Sequence, residues 1–165
     1  MLNRLFKLLI ALALLPVFGT AYAQEADSPS FGVFVGVGAQ RDTSTHPALQ
    51  AGGSADQPYP NHWIGWMFEG GYLGPVTNPH SGSGLFSVNY IASWNAKRAS
   101  KLFPFVTGGY TYLFGTGNAA NFGPGMDLRL SPRFGLRLEG RDYLSFAPHQ
   151  HNFAIRVGLR RYVWD

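Results

Sequence analysis

The sequence is short of three things: it has no cysteine, only 13% charged residues, and no long apolar run after Phe18. The absence of cysteine excludes the disulfide bonds on which many small exported domains depend. Soluble domains carry about 25% charged residues, so this chain has roughly half the usual charge. A membrane-spanning helix needs about 20 apolar residues, which excludes a helical membrane protein for the part of the chain after Phe18.

The N-terminus carries the most specific signal. Two basic residues precede an apolar stretch from Leu8 to Phe18, and Ala21-Tyr22-Ala23 follows. This order is typical of a secretory signal peptide. We predict cleavage between Ala23 and Gln24, which makes residues 1–23 the signal peptide and 24–165 the mature domain. An uncleaved anchor is the alternative, but the apolar stretch is shorter than the ~20 residues of a spanning helix.

Cleavage removes two of the 13 basic residues and none of the 9 acidic ones, so the net charge falls from +4 to +2. Such a small charge on an exported protein gives little support for a nucleic-acid partner, and none is predicted. The composition is rich in aromatic residues, at 15%, and in glycine, with 21 residues. Few charges, many aromatics and many glycines together favour a transmembrane β-barrel.

From Ser30 onward, apolar residues alternate with small or polar ones, and this period of two predicts strands with two different faces. In the first run, the bulky face is formed by Phe31, Val33, Val35 and Val37. Seven runs show the pattern: Phe31–Gln40, Trp63–Leu73, Leu85–Trp94, Phe103–Phe114, Met126–Ser131, Phe134–Arg141 and Phe153–Arg160.

The small or polar faces suit a crowded barrel interior, and the bulky faces suit lipid. Runs of about ten residues match the length that a tilted strand needs to cross a bilayer. The sequence therefore predicts an all-β protein, a single antiparallel up-and-down transmembrane β-barrel. A soluble, lipocalin-like exported barrel is the alternative, because alternation alone separates the two only weakly.

Seven runs require an eighth strand, since single-chain bacterial barrels have an even number of strands. The stretch Ala48–Ala55 is the candidate, although its alternation is weak. With this strand, the connections at 56–62, 95–101 and 131–133 become periplasmic turns. The connections at 41–47, 74–84, 116–123 and 147–152 become outer loops, and none of them is long.

Four segments resemble those of the outer-membrane β-barrel domain family, the eight-stranded OmpA/OmpX-like proteins: Phe103–Tyr110, Gly125–Ser131, Phe134–Tyr143 and Asn152–Leu159. The resemblance covers most of the mature chain and implies an architecture rather than an activity. It also implies a place in the cell outer membrane, contact with outer-membrane lipids, and recognition of the C-terminal strand by the barrel-assembly machinery. We expect a monomer.

The C-terminus departs from the family pattern, in which the last strand ends on an aromatic residue in alternating register. Tyr162 and Trp164 supply aromatic residues, but Asp165 follows them. Arg160-Arg161 interrupts the alternation, and this interruption predicts a bulge.

Charged residues fall on the predicted inward face of several strands. The interior of an eight-stranded barrel is just wide enough for side chains, so buried charges there must pair. We interpret them as a salt-bridge network that closes the lumen; the alternative is an ion or proton path. The residues are Glu69, Asp127, Arg129, Arg137, Glu139, Arg141, Arg156 and Arg160.

The histidines all fall in predicted connections, and we interpret them as solvated loop residues rather than as metal ligands or a pH sensor. They are His46, His62, His80, His149 and His151.

The residues near the last connection include the types that a serine hydrolase needs, at Asp142, Ser145 and His149. The His-x-Ser-Asn arrangement of lipid A deacylase barrels is absent. We therefore predict no catalytic residue, no cofactor and no metal site. The predicted role is structural or interaction-based, with a narrow channel or ligand-binding barrel second and a lipid-modifying enzyme third.

Overall fold

The computed structural model describes residues 28–41, 45–58, 64–93, 101–146 and 149–163, and these form a closed antiparallel β-barrel. Each strand pairs with the next along the chain, and the last closes on the first, so the predicted fold class is confirmed. The strands are β1 (Ser30–Arg41), β2 (Thr45–Pro58), β3 (Ile64–Pro75), β4 (Ser83–Ser93), β5 (Leu102–Leu113), β6 (Gly117–Arg129), β7 (Phe134–Phe146) and β8 (His149–Tyr162).

A single 3-10 turn, Pro79–Ser81, interrupts the all-β pattern of these ranges. No helix in the described ranges has the length and apolar character to cross a membrane. The predicted cleavage site between Ala23 and Gln24 lies outside the described residues.

The barrel is polar inside and apolar outside, the reverse of a soluble protein. In β1, Val33, Val35 and Val37 are 65%, 57% and 65% exposed, while Phe34 between them is 7% exposed. The same alternation continues around the barrel, because side chains on a strand point to opposite faces in turn. The predicted orientation of the first run is confirmed.

Strand β2 is the eighth strand that the even strand number predicted. It runs from Thr45 to Pro58 and is longer than the predicted Ala48–Ala55. Its outward face carries small residues, and Gly53 lies directly opposite Gly70 of β3. With so little bulk on that face, the alternation was weak in the sequence. Complete ladders to β1 and β3 fix the strand.

Three predicted loops are wrong. The loop at 41–47 is mostly strand, because Arg41 ends β1 and β2 begins at Thr45. The loop at 116–123 is mostly strand, because β6 begins at Gly117, directly after a tight turn; Gly115 in the turn has a φ of 86° and Gly117 after it a φ of 113°. These left-handed values favour glycine, which explains the turn. The loop at 147–152 is also mostly strand, since β8 begins at His149.

Two histidines predicted in loops therefore lie in strands with described side chains, His46 in β2 and His151 in β8, and His149 begins β8. His80 lies in the 3-10 turn, as a connection residue, and His62 is outside the described ranges.

The predicted bulge at Arg160-Arg161 is also wrong. The ladder from β8 to β1 continues without interruption to the pair Tyr162 and Ser30. Arg160 is buried in the lumen, while Arg161 is exposed on the outer face near the strand end. An arginine at that edge keeps its charge in water, so the alternation does not need to break.

A charge-paired lumen as the candidate functional site

The structure places all eight predicted charged residues on the inward face of their strands, and it adds a ninth, Asp56. Asp56 belongs to the same face of β2 as Gln50, but the sequence analysis placed it in a turn. Extending the period of two from Ala48 by four more steps would have found it. Eight of the nine are buried: Asp56, Glu69, Asp127, Arg137, Glu139, Arg141, Arg156 and Arg160.

Four of these residues form what we call the terminal cluster, near the barrel end at which β1 begins and β8 ends: Asp56, Asp127, Arg137 and Arg160. Arg137 donates through Nε to Asp127 Oδ1 at 2.8 Å and through Nη2 to Asp56 Oδ2 at 2.8 Å. Arg160 also contacts both carboxylates and the hydroxyl of Ser30. Each carboxylate is thus shared between two guanidinium groups.

The other four residues form the central cluster, in the middle of the lumen: Glu69, Glu139, Arg141 and Arg156. Arg156 donates through Nη2 to Glu139 Oε2 at 2.7 Å and also contacts Glu69. Arg141 Nη2 lies 2.5 Å from Glu139 Oε1 and 3.2 Å from Glu69 Oε2. The pattern repeats that of the terminal cluster, with two acids bridging two arginines.

Each cluster is formally neutral, and this balance is what makes burial of eight charges tolerable. An unpaired buried ion costs several kcal/mol, whereas a planar guanidinium can hold two carboxylates at once. Glycines make room for the large arginines. A Cβ at Gly36 would lie 2.7 Å from Cβ of Arg156, the residue directly across from it on β8.

Aromatic rings stack on the guanidinium groups. Arg137 lies 4.4 Å from the ring centre of Phe105, and Arg156 lies 4.3 Å from that of Phe34. Phe34 is the one bulky side chain on the otherwise small inward face of β1, and this contact accounts for it. Arg129, which is half-buried, lies 4.5 Å from the ring centre of Tyr162 rather than in either cluster.

A ladder of neutral side chains extends from the central cluster toward the opposite end of the barrel. Asn89 donates to Glu69 at 2.9 Å, and Asn121 donates to Asn89 at 2.7 Å and to Thr111 at 2.8 Å. Thr111 is 2.7 Å from Ser87. The ladder satisfies polar groups that would otherwise be buried without partners.

The ladder ends at an apolar layer, which we call the cap: Ala48, Leu73, Leu85, Leu113, Ala119 and Tyr143. Tyr143 lies at the junction, because its hydroxyl accepts a hydrogen bond of 2.5 Å from Gln50. The lumen is therefore filled by three kinds of layer in succession: the two ion-pair clusters, the neutral ladder and the apolar cap. A small cavity, about the size of one water molecule, is lined by Phe34, Ser54, Glu139, Arg156 and Arg160 among others.

The residue types of a serine hydrolase do not come together. Asp142 and His151 form a pair, with 2.8 Å between Oδ2 and Nδ1, on the outer face of the barrel. Ser145 is on the opposite face of β7 and is 2% exposed. Among the described residues, no group of three or more His, Cys, Asp or Glu lies close enough together to hold a metal ion.

A closed barrel of eight strands with a charge-paired interior and an apolar exterior is the architecture of small outer-membrane barrels, and solved structures of that class share this fold. Neisserial surface protein A matches with a TM-score of 0.64 and 12% identity over 82% of this chain and 97% of that one. The N-terminal β-barrel domain of Pseudomonas aeruginosa OprF matches with a TM-score of 0.52 and 16% identity, covering 78% and 96%.

A third match is Ail, the attachment invasion locus protein of Yersinia pestis, with a TM-score of 0.51 and 11% identity over 82% of this chain and 98% of that one. No family model matches the sequence, and no curated protein does. At sequence identities of 11% to 16%, these matches show a shared fold.

Proposed function

We propose that this chain is a small integral outer-membrane protein with a structural or interaction role and a closed lumen, without an enzymatic site. The observation that carries the proposal is the inside-out distribution of side chains. Large apolar residues such as Val37, Leu138 and Ile155 are more than half exposed, whereas Arg141 and Glu139 are 0% and 1% exposed. A lipid solvent makes such a surface favourable, which supports the membrane location.

The three layers of the lumen support the closed state. An ion that crossed the barrel would have to displace paired guanidinium groups in both clusters and then pass the apolar cap. Short connections favour a role within the membrane: at the end opposite the chain termini, the longest connection runs from 76 to 82.

The partners that we propose follow from the outer face. Outer-membrane lipids cover the apolar residues, the assembly machinery reads β8, and the barrel is a monomer after removal of residues 1–23. The likeness to three outer-membrane barrels supports this location.

Two measurements test the proposal. In cell fractionation, the protein is expected in the outer-membrane fraction and should need detergent for release; recovery in the soluble periplasmic fraction would contradict the membrane role. In planar bilayers, the purified barrel is expected to show no stable conductance. A steady open level in most insertions would instead support the second candidate, a narrow channel.

The third candidate, a lipid-modifying enzyme, has a separate test. Mass spectra of lipid A from cells with and without the protein are expected to be identical. A change in acyl chains or phosphates that depends on the protein would overturn the non-enzymatic assignment.

A further inference from the structure

The described outer face of the barrel carries Asp, Glu, Lys, Arg or His side chains at few positions, and these positions lie on three adjacent strands. Among the strand residues whose side chains the structure describes, they are Arg41 of β1, Asp142 of β7, and His151 and Arg161 of β8. Three of the four lie together near the barrel end opposite the chain termini. Lone charges on a lipid-facing wall are costly, so their grouping calls for an explanation.

Asp142 and His151 are paired, with His151 Nδ1 lying 2.8 Å from Asp142 Oδ2. The Asp142 side chain is 17% exposed and that of His151 is 59% exposed, so the carboxylate orients an imidazole whose other nitrogen is open. When the ring is protonated, Nδ1 donates to the carboxylate and Nε2 is a free donor.

Arg41 lies directly across from His151 in the ladder between β1 and β8. Side chains in such pairs have Cβ atoms about 5 Å apart, and like charges at that distance repel. No residue in the described ranges pairs with the Arg41 guanidinium. Counted over the described residues, and with His151 protonated, the group holds two positive charges and one negative charge, which leaves room for an anion.

The height of Arg41, Asp142 and His151 along the barrel axis indicates which anion can reach them. Arg161 lies ten residues after His151 on β8, and the outward residues between them are Phe153, Ile155, Val157 and Leu159. Ten residues cover about 34 Å along a strand, or roughly 26 Å of height at a tilt of about 40°. The apolar band of a bilayer barrel is about 25 Å tall, which places His151 and Arg41 at one boundary, where lipid phosphates lie.

We propose that Arg41 and His151 bind the phosphate group of a membrane lipid, with Asp142 as the residue that positions the imidazole. A guanidinium holds two phosphate oxygens in a fork, and the Nε2–H of protonated His151 supplies a further donor. The apolar residues below the group receive the acyl chains. The inference rests on the proposed membrane location of the barrel.

Native mass spectrometry of the purified barrel in detergent micelles tests the site. The probe is dioleoyl phosphatidic acid, compared with dioleoylglycerol, which has the same chains without phosphate. We expect phosphatidic acid to bind at least about fivefold more tightly, since a guanidinium–phosphate fork adds charge-assisted hydrogen bonds. Arg41→Gln should remove most of that preference, and His151→Gln about half of it on a logarithmic scale.

Arg161→Gln is the matched control, because it removes the same charge from the outer face at the opposite boundary, where no imidazole lies beside it. It should leave binding within about twofold. An equal loss in Arg161→Gln and Arg41→Gln would overturn the site in favour of general charge attraction. Equal binding of dioleoylglycerol, or full competition by inorganic phosphate at the same concentration as the lipid, would overturn the lipid source.

Variants of Asp142 test its positioning role. The charged groups that face His151 are Asp142 from β7 and Arg41 from β1. Asp142→Asn should weaken phosphatidic acid binding by a few fold, because the ring loses the carboxylate that orients it, and Asp142→Glu, which keeps a carboxylate, should restore most of the binding. Equal losses in the two variants would contradict the role.

Failure of the lipid-phosphate site can be told apart from failure of the proposed membrane role, because the two are tested by different experiments. A barrel that fractionates with the outer membrane but shows no phosphate preference would overturn only this inference.

Discussion

The half of the lumen where β1 begins and β8 ends is held by ion pairs beside a small apolar cluster of Met67, Ile91 and Phe105, whereas the opposite half is held mainly by apolar contact. In the first half, the side chains of Arg137 and Arg160 each reach both Asp56 and Asp127. In the second, Leu73, Leu85 and Leu113 pack against one another with Tyr143. Both halves exclude water, but they differ in what a single substitution leaves behind: an uncompensated ion in one and a void in the other.

The largest effect is expected in the central cluster. Arg156→Met removes the partner that both Glu69 and Glu139 share with Arg141, so two buried carboxylates are left with one guanidinium. We expect a loss of about 3–5 kcal/mol in the free energy of unfolding. Urea unfolding of the barrel in lipid vesicles, followed by tryptophan fluorescence, measures it.

A paired substitution separates charge from packing at this position. Replacing Glu69 by Leu in the Arg156→Met background removes one acid with one base, so the remaining pair is balanced again. The double variant is expected to recover more than half of the loss. A double variant that is less stable than Arg156→Met alone would show that packing, rather than charge balance, stabilises the central cluster. Arg161→Met, on the outer face of the same strand, should change stability by less than about 0.5 kcal/mol.

A smaller effect is expected in the cap. Leu113 is 3% exposed, and Leu113→Ala leaves a void beside Leu85. The expected loss is about 2–3 kcal/mol in the same unfolding assay, and it should not change between low and high salt. Leu113→Ile, which keeps the volume, should cost less than about 1.5 kcal/mol. Equal losses for the two variants would show that the cap is not tightly packed.

The smallest effect is expected where the two halves meet. Tyr143→Phe keeps the ring and removes the hydroxyl that accepts the 2.5 Å hydrogen bond from Gln50. We expect a loss of about 1 kcal/mol, since one neutral hydrogen bond is lost and the amide of Gln50 is left unpaired. In the Gln50→Leu background, Tyr143→Phe should cost almost nothing; a full cost there would point to another partner of the hydroxyl.

Residues of the lumen also differ in how far the sequence predicts them. The inward positions of Arg137 and Glu139 follow from the alternation of β7, because leucines occupy the opposite face. Asp56 lies on a stretch of Ala, Gly, Ser and Gln, where neither face is bulky and the period of two is faint. There the neighbouring strands supply the structure, through a ladder that no local pattern encodes.

The sequence does not predict which of the inward charges pair with one another, and the reason is different. Arg137 and Asp56 are on strands that are not neighbours, and they meet across the lumen at 2.8 Å. That contact depends on the tilt and stagger with which eight strands close, which are properties of the whole barrel. The sequence pattern does show which residues face inward, and the shared face of Glu69 and Met67 on β3 is an example.

Strand β8 supplies half of the positive charge in the two clusters. Strands β1 to β7 carry all four clustered carboxylates but only two of the four guanidinium groups that hold them, those of Arg137 and Arg141. Arg156 and Arg160 belong to β8, so the strand that closes the ring also balances its charge. A β8 shifted by one residue would turn both arginines to the outer face and leave the carboxylates unbalanced, so electrostatics favours the register that the structure has.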